Sequence, residues 1–184
     1  MNFSEPAQTR PRILIVAGVS GSGKTTIGAM LAGRLNVPFA DADSFQPTAN
    51  IEKMRAGIPL TDEDRWPWLE RIGDWMDDHI GNGRSAVITC SALKRSYRDM
   101  LLNGRPEAWL VFLSVDRGEL ARRLAIRHGH FFPAQLLDSQ LSALEPPQPD
   151  EQAIAIPETG TPAETVETIV SWVNEAEAGP ARHL

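Results

Sequence analysis

Short apolar runs alternate with longer amphipathic ones along the chain. Ile13–Gly18 is continuous, short and β-branched, the pattern of a strand buried on both faces of a sheet. After a glycine-rich turn, Ile27, Met30, Leu31 and Leu35 recur at helical spacing and predict a helix over Thr25–Leu35. Val37–Ala40 predicts a second, short strand ended by Asp41. Pro47–Arg55 predicts a helix with proline at its start and Gly57 past its end. Arg65–Ile80 predicts another, carrying Trp68, Leu69, Ile72, Trp75 and Met76 and stopping at Gly81-Asn82-Gly83. Strands are expected at Ala86–Cys90, Ala108–Val115 and Ala153–Ile156. Helices are expected at Ala92–Leu102, Glu119–Arg127, Pro133–Leu144 and Ala163–Glu177, and the Pro-rich Glu145–Gln152 reads as a loop.

Strand and helix alternate without internal repeat, which predicts a three-layer α/β domain: a central parallel sheet of about five strands with helices on both faces. Ligands of such sheets sit at the carboxyl ends of the strands, so the polar residues after each strand are the candidates for chemistry.

A length of 184 residues suits one domain over 12–177, with frayed, flexible tails at 1–11 and 178–184. Usage of 42% hydrophobic and 23% charged residues excludes a disordered chain. The longest apolar run, Ile13–Ala17, is far below the roughly 18 residues of a membrane helix, so no membrane partner is expected. The first twelve residues hold Glu5, Pro6 and Pro11 and no apolar core, and do not read as a secretory signal. A lone cysteine, Cys90, allows no internal disulfide and fits a reducing, cytoplasmic home. A net charge of −6 argues against generic nucleic-acid binding. Only Lys24, Lys53 and Lys94 among 18 basic residues are lysine, which draws attention to each of them.

Gly18-Val19-Ser20-Gly21-Ser22-Gly23-Lys24-Thr25 fits G-x-x-x-x-G-K-S/T between a predicted strand and a predicted helix, the context that a phosphate loop needs. Its glycines let backbone N–H groups curl around anionic oxygens, and the helix N-terminus adds a favourable dipole. Lys24 is expected on the β- and γ-phosphates of ATP and the Thr25 hydroxyl on Mg²⁺, with Thr26 completing the nucleotide-binding run. A GTPase would carry N-K-x-D, and this chain has none. Asp78-His79-Ile80-Gly81 formally fits a D-x-x-G switch but lies at a helix end and reads as a stop. Asp116, after the fourth strand, reads as an N-cap before it reads as a metal ligand.

Asp41-Ala42-Asp43 closes the second strand. A carboxylate there can accept the proton of an acceptor hydroxyl, and a neighbour can hold Mg²⁺ through water; equally, both can be turn and cap residues.

The run from Asp41-Ala42-Asp43-Ser44-Phe45-Gln46-Pro47-Thr48-Ala49-Asn50-Ile51-Glu52-Lys53-Met54 resembles the signature that follows the second strand in gluconate kinases. Ile58-Pro59-Leu60-Thr61-Asp62-Glu63-Asp64-Arg65-Trp66-Pro67-Trp68-Leu69, Cys90-Ser91-Ala92-Leu93-Lys94-Arg95-Ser96-Tyr97-Arg98-Asp99, Gly129-His130-Phe131-Phe132 and Leu136-Leu137-Asp138-Ser139-Gln140 continue it, in the family's order, over about residues 12–150. The resemblance implies a P-loop kinase fold related to shikimate and nucleoside-monophosphate kinases, and ATP:D-gluconate 6-phosphotransferase activity. Under it, Asp43 positions or deprotonates the primary hydroxyl and Asp41 supports the metal. Lys53, Arg65, Lys94, Arg98 and His130 join Asp43 on the substrate side, and Lys24, Arg123 and Arg127 stabilise the transferring phosphoryl group. A lid is expected over about 123–140, with Gly129 as a hinge and adenine near Pro157–Pro162. Without the resemblance, Lys53, Arg65, Lys94 and Arg98 read more simply as solvated or paired helix charges, although Lys94 and Arg98 stand four apart as if on one face. Trp68, Ile72 and Trp75 share helical spacing and read as core. Two departures stand out: Ala42 where the family usually has Gly, and Gln46 where it has His. Kinases for other small acceptors and a nucleotide-sensing module without transfer remain the alternatives, and a homodimer is left open.

Overall fold

The computed structural model describes residues 10–128, 134–158 and 160–178, and its elements follow the alternation in the sequence. Five parallel strands stand in the order β2-β3-β1-β4-β5: β1 Ile13–Ala17, β2 Phe39–Asp41, β3 Ala86–Thr89, β4 Ala108–Ser114 and β5 Ala153–Pro157. The pleat of β1 splits its side chains between two cores. Ile13, Ile15 and Ala17 meet Trp68, Leu69, Ile72 and Met76 of α3 (Asp62–Gly81) and Tyr97 and Leu101 of α4 (Arg95–Leu102). Leu14 and Val16 meet Ile27 and Leu31 of α1 (Lys24–Leu35) and Val166, Ile169, Val170 and Val173 of α7 (Pro162–Ala178). Each large side chain buried this way contributes roughly 1.5–3 kcal/mol. A third, smaller cluster of Val19, Leu93, Leu120, Leu124 and Leu137 seats α5 (Arg117–His128) and α6 (Ala134–Ala143) beside the turn that leaves β1.

Most boundaries fall within two residues of the sequence expectation, and three that differ have a visible cause. The second strand begins at Phe39 rather than Val37, because the Val37 N–H is spent on the Ala32 carbonyl at the end of α1. The tryptophan helix, α3, starts at Asp62 rather than Arg65: Thr61 caps it and Asp64 returns the bond to the Thr61 N–H, a reciprocal cap whose loss costs about 1 kcal/mol. Helix α4 starts at Arg95 rather than Ala92. Ala92 has φ 44°, a left-handed conformation no right-handed helix contains, and Lys94 is still extended. Lys94 and Arg98 therefore share no helical face. Asp116 does cap α5, its Oδ2 accepting from the Gly118 and Glu119 N–H groups at 2.9 and 3.3 Å. Among the described residues, no helix is long and apolar enough to cross a membrane.

Candidate active site

Because all five strands run parallel, their carboxyl ends share one edge of the sheet, and the turns leaving β1, β2 and β3 meet there. The turn after β1 is the glycine-rich loop. Gly23 is the N-cap of α1 at φ 90°, left-handed backbone that favours glycine. A Cβ on Gly18 would stand 2.6 Å from the Ser22 hydroxyl, so the loop closes on itself only with glycine there. Ser20, Gly21, Gly23, Lys24, Thr25 and Thr26 line a cleft of about 630 Å³, while Gly18, Val19 and Ser22 are buried and do not line it. The Lys24 Nζ folds back to donate to the Val19 carbonyl at 3.0 Å. Burial lowers the Lys24 pKa from its ordinary value, with Cys90, Asp43 and Asp41 pulling the other way.

The turn after β2 supplies the carboxylates. Asp41 Oδ1 accepts from the Asp43 N–H at 2.9 Å, its carbonyl accepts from Ser44 Oγ at 2.7 Å, and its Oδ2 lies 3.4 Å from Thr25 Oγ1. Asp41 thus ties the acidic turn to the start of α1. From the other side, Trp68 Nε1 donates to the Ala42 carbonyl at 2.7 Å and fixes the turn on α3. Asp43 keeps much of its surface open, yet partial desolvation and the neighbouring Asp41 raise its pKa above the ordinary value, against the opposing pull of Lys24. Asp41, Asp43 and Lys24 line the same cleft.

Of the four basic residues expected beside the acceptor, only Arg65 lines the cleft. Its Nη1 donates to the Leu60 and Thr61 carbonyls at 2.6 and 3.4 Å, and its guanidinium lies 5.6 Å from the Tyr97 ring centroid. Lys53 is held by Asp64 at 2.7 Å, bracing α2 (Thr48–Arg55) against α3. Lys94 is held by Asp62, which also accepts from the Tyr97 hydroxyl; both bonds keep the Asp62 carboxyl below its ordinary pKa. Arg98 is fully buried, bound to Glu151 and to two backbone carbonyls. Lys53, Lys94 and Arg98, expected on the substrate side, do not line the cleft, and cross-element carboxylates hold all three. His130, Gly129 and the middle of the expected lid lie outside the described residues.

Arg123 and Arg127 of α5 both line the cleft. Arg123 is gripped by Glu119 at 2.7 Å and by Glu158, just past β5, at 2.6 Å, whereas among the described residues Arg127 pairs with no carboxylate. Glu158 had no signal in the sequence, since its role arises only where β5 ends beside the loop. Gln140, the last residue of the Leu136–Gln140 motif, accepts from the Ser20 N–H at 2.7 Å and donates to Ser20 Oγ at 2.8 Å, joining α6 to the loop. Cys90 lines the cleft too, but burial pushes its thiol up to about 12, so it stays protonated and unreactive at neutral pH.

The two departures are benign in shape. Ala42 is buried in a 3₁₀ turn and needs no positive φ, so glycine's freedom is not required there. Gln46 accepts from Asn50 Nδ2 at 3.0 Å and does not line the cleft.

Comparison with known proteins agrees with this arrangement. The shikimate kinase family profile matches residues 20–173. A gluconokinase of Gluconobacter oxydans is 50% identical over 147 residues, which cover 80% of this chain and 83% of that protein. The thermosensitive gluconokinase of Escherichia coli is 48% identical over 140 residues, covering 76% and 75%. A solved gluconokinase structure from Sinorhizobium meliloti superposes with a TM-score of 0.82 at 40% identity, covering 92% of this chain and 95% of that one.

Proposed function

The chain belongs to the gluconokinase family of P-loop kinases, and from that premise we propose that it transfers the γ-phosphoryl group of ATP to the primary hydroxyl of D-gluconate. The observation that carries this reading is one cleft that joins the phosphate loop, the Asp41 and Asp43 carboxylates and the Arg65 guanidinium. The loop amides and the α1 N-terminus take the nucleotide phosphates. Arg65 takes the gluconate carboxylate, a task suited to a planar fork of donors that no carboxylate of the described residues holds. Asp43 accepts the proton of the 6-hydroxyl as that oxygen bonds to the γ-phosphorus; the bond from phosphorus to the bridging oxygen breaks, and ADP leaves. Lys24, Arg123 and Arg127 spread positive charge over the transferring group. For Arg123 this means exchanging part of its grip on Glu119 and Glu158 for phosphate.

The donors beside the loop fit a magnesium ion. Thr25 Oγ1 and Asp41 Oδ2 are hard oxygens 3.4 Å apart, and two such ligands suit a cation that keeps water and takes its other ligands from phosphates. Bound with ATP, Mg²⁺ would neutralise phosphate charge. A cytoplasmic setting, where ATP is at hand, is part of this reading, and the buried free thiol of Cys90 supports it.

A coupled ADP assay over gluconate, other sugar acids, shikimate and nucleoside monophosphates tests the reading. ADP release that depends on gluconate is expected. Release with shikimate or a nucleotide alone would reassign the acceptor, and no acceptor dependence at all would leave only a nucleotide-binding module.

A further inference from the structure

Arg98 and Glu151 form an ion pair sealed from solvent, with side chains 0% and 2% exposed. Arg98 Nε and Nη2 grip the two carboxylate oxygens at 2.6 and 3.0 Å. Its Nη1 donates to the Ala92 and Leu93 carbonyls at 3.1 and 3.0 Å. Those carbonyls belong to the turn that leaves β3, of which Cys90, Ser91 and Leu93 line the cleft. At its centre Ala92 holds φ 44°, left-handed backbone that an L side chain enters only under restraint. The chain after α6 tightens the same turn: the Glu145 N–H donates to the Leu93 carbonyl at 2.9 Å, and its carboxylate accepts from the Arg95 N–H at 2.6 Å.

A buried ion pair is a poor way to stabilise a core, since apolar residues of similar volume often serve as well or better. What the guanidinium adds is direction: five N–H groups in a rigid fork can hold a carboxylate and two carbonyls at once. The turn it holds is strained, and it faces the cleft. We propose that Arg98 and Glu151 are positioning residues for the acceptor, holding the 90–93 turn in its left-handed shape so that it presents a fixed wall to the sugar acid. Neither residue touches substrate; each acts through the turn. The inference rests on the acceptor reading above, and gluconate-dependent ADP release by the unmodified enzyme tests that reading separately.

The test is steady-state kinetics of the apolar exchange Arg98→Met with Glu151→Leu, alone and with Ala92→Gly. In the exchange variant the KM for gluconate is expected to rise roughly tenfold, while that for ATP stays within about twofold. Ala92→Gly removes the strain that needs holding, so adding it should return much of the lost gluconate affinity. A purely structural pair would lower Tm and leave the gluconate KM in place. That result, a parallel rise in both KM values, or no recovery with Ala92→Gly overturns the proposal. Should the exchange variant lack a cooperative melt, Glu151→Gln decides instead. It keeps the shape of the pair and weakens the grip on Arg98. A severalfold rise confined to the gluconate KM supports the proposal, and an unchanged or doubly raised KM refutes it.

Discussion

Asp43 stands where desolvation and the second carboxylate of Asp41 both favour its protonated form, while Lys24 favours the charged one. A base must be ionised to work, so kcat/KM for gluconate should fall as pH drops through a value above the ordinary 3.8 of aspartate. Folding obeys the opposite sign. The native state keeps this proton where the unfolded chain has released it, so stability declines as pH rises from 3.8 to the raised value. Asp43→Asn should therefore cut kcat by at least about a hundredfold, leave ATP affinity within about threefold, and raise Tm modestly at neutral pH. Near-normal turnover in that variant would remove Asp43 from the mechanism. Arg65 makes a simpler prediction. Losing a charged hydrogen-bonding partner costs about 1.5–3 kcal/mol, so Arg65→Ala should raise the gluconate KM roughly ten- to a hundredfold. The ATP KM should stay put, and an equal rise in both would place Arg65 on the nucleotide side.

Between elements, the phosphate loop is braced from above by α6. Gln140 meets both the N–H and the hydroxyl of Ser20, so the loop's second wall is a helix more than a hundred residues away in sequence. Gln140→Ala frees the Ser20 N–H and loosens the cradle. Two net hydrogen bonds at about 1 kcal/mol each set an upper bound, and a three- to tenfold rise in the ATP KM is expected with the gluconate KM unchanged. A selective change in the gluconate KM would show that α6 serves the acceptor instead. The pairs Lys53–Asp64 and Lys94–Asp62 brace α2 and the turn after β3 against the first turn of α3. They are partly open to solvent, and each contributes little beyond orientation.

At the scale of the molecule, strand order decides what meets. With β1 between β3 and β4 and β2 at the edge, three successive crossovers bring the glycine loop, the acidic turn and the Ala92 turn to one rim. Two apolar layers hold that rim rigid from beneath, with Ile13 and Ile15 in one and Leu14 and Val16 in the other.

Much of this was legible in the residues. The loop at 18–25 announces itself because phosphate binding needs glycine, lysine and a hydroxyl within eight consecutive positions. The strand–helix alternation, the acidic turn and the Asp116 cap are equally local, and each is written in neighbouring side chains. The fate of a cation is not local. Lys53, Lys94, Arg65 and Arg98 look alike in the sequence, and Arg65 differs because the fold sets no carboxylate of the described residues against it, whereas Arg98 meets Glu151, 53 positions on. Ala92 delays the start of α4 by about one turn through a backbone angle that its own side chain does not favour, so no propensity could have signalled it. The chain by itself determined the elements and the phosphate cradle, since these rest on short-range chemistry, while the class of reaction was legible only through the resemblance of its longer motifs to gluconate kinases. Only the tertiary structure decided which charges stay free to meet a substrate, because a charge is neutralised by whatever the fold brings within hydrogen-bonding distance, and sequence separation does not enter that distance.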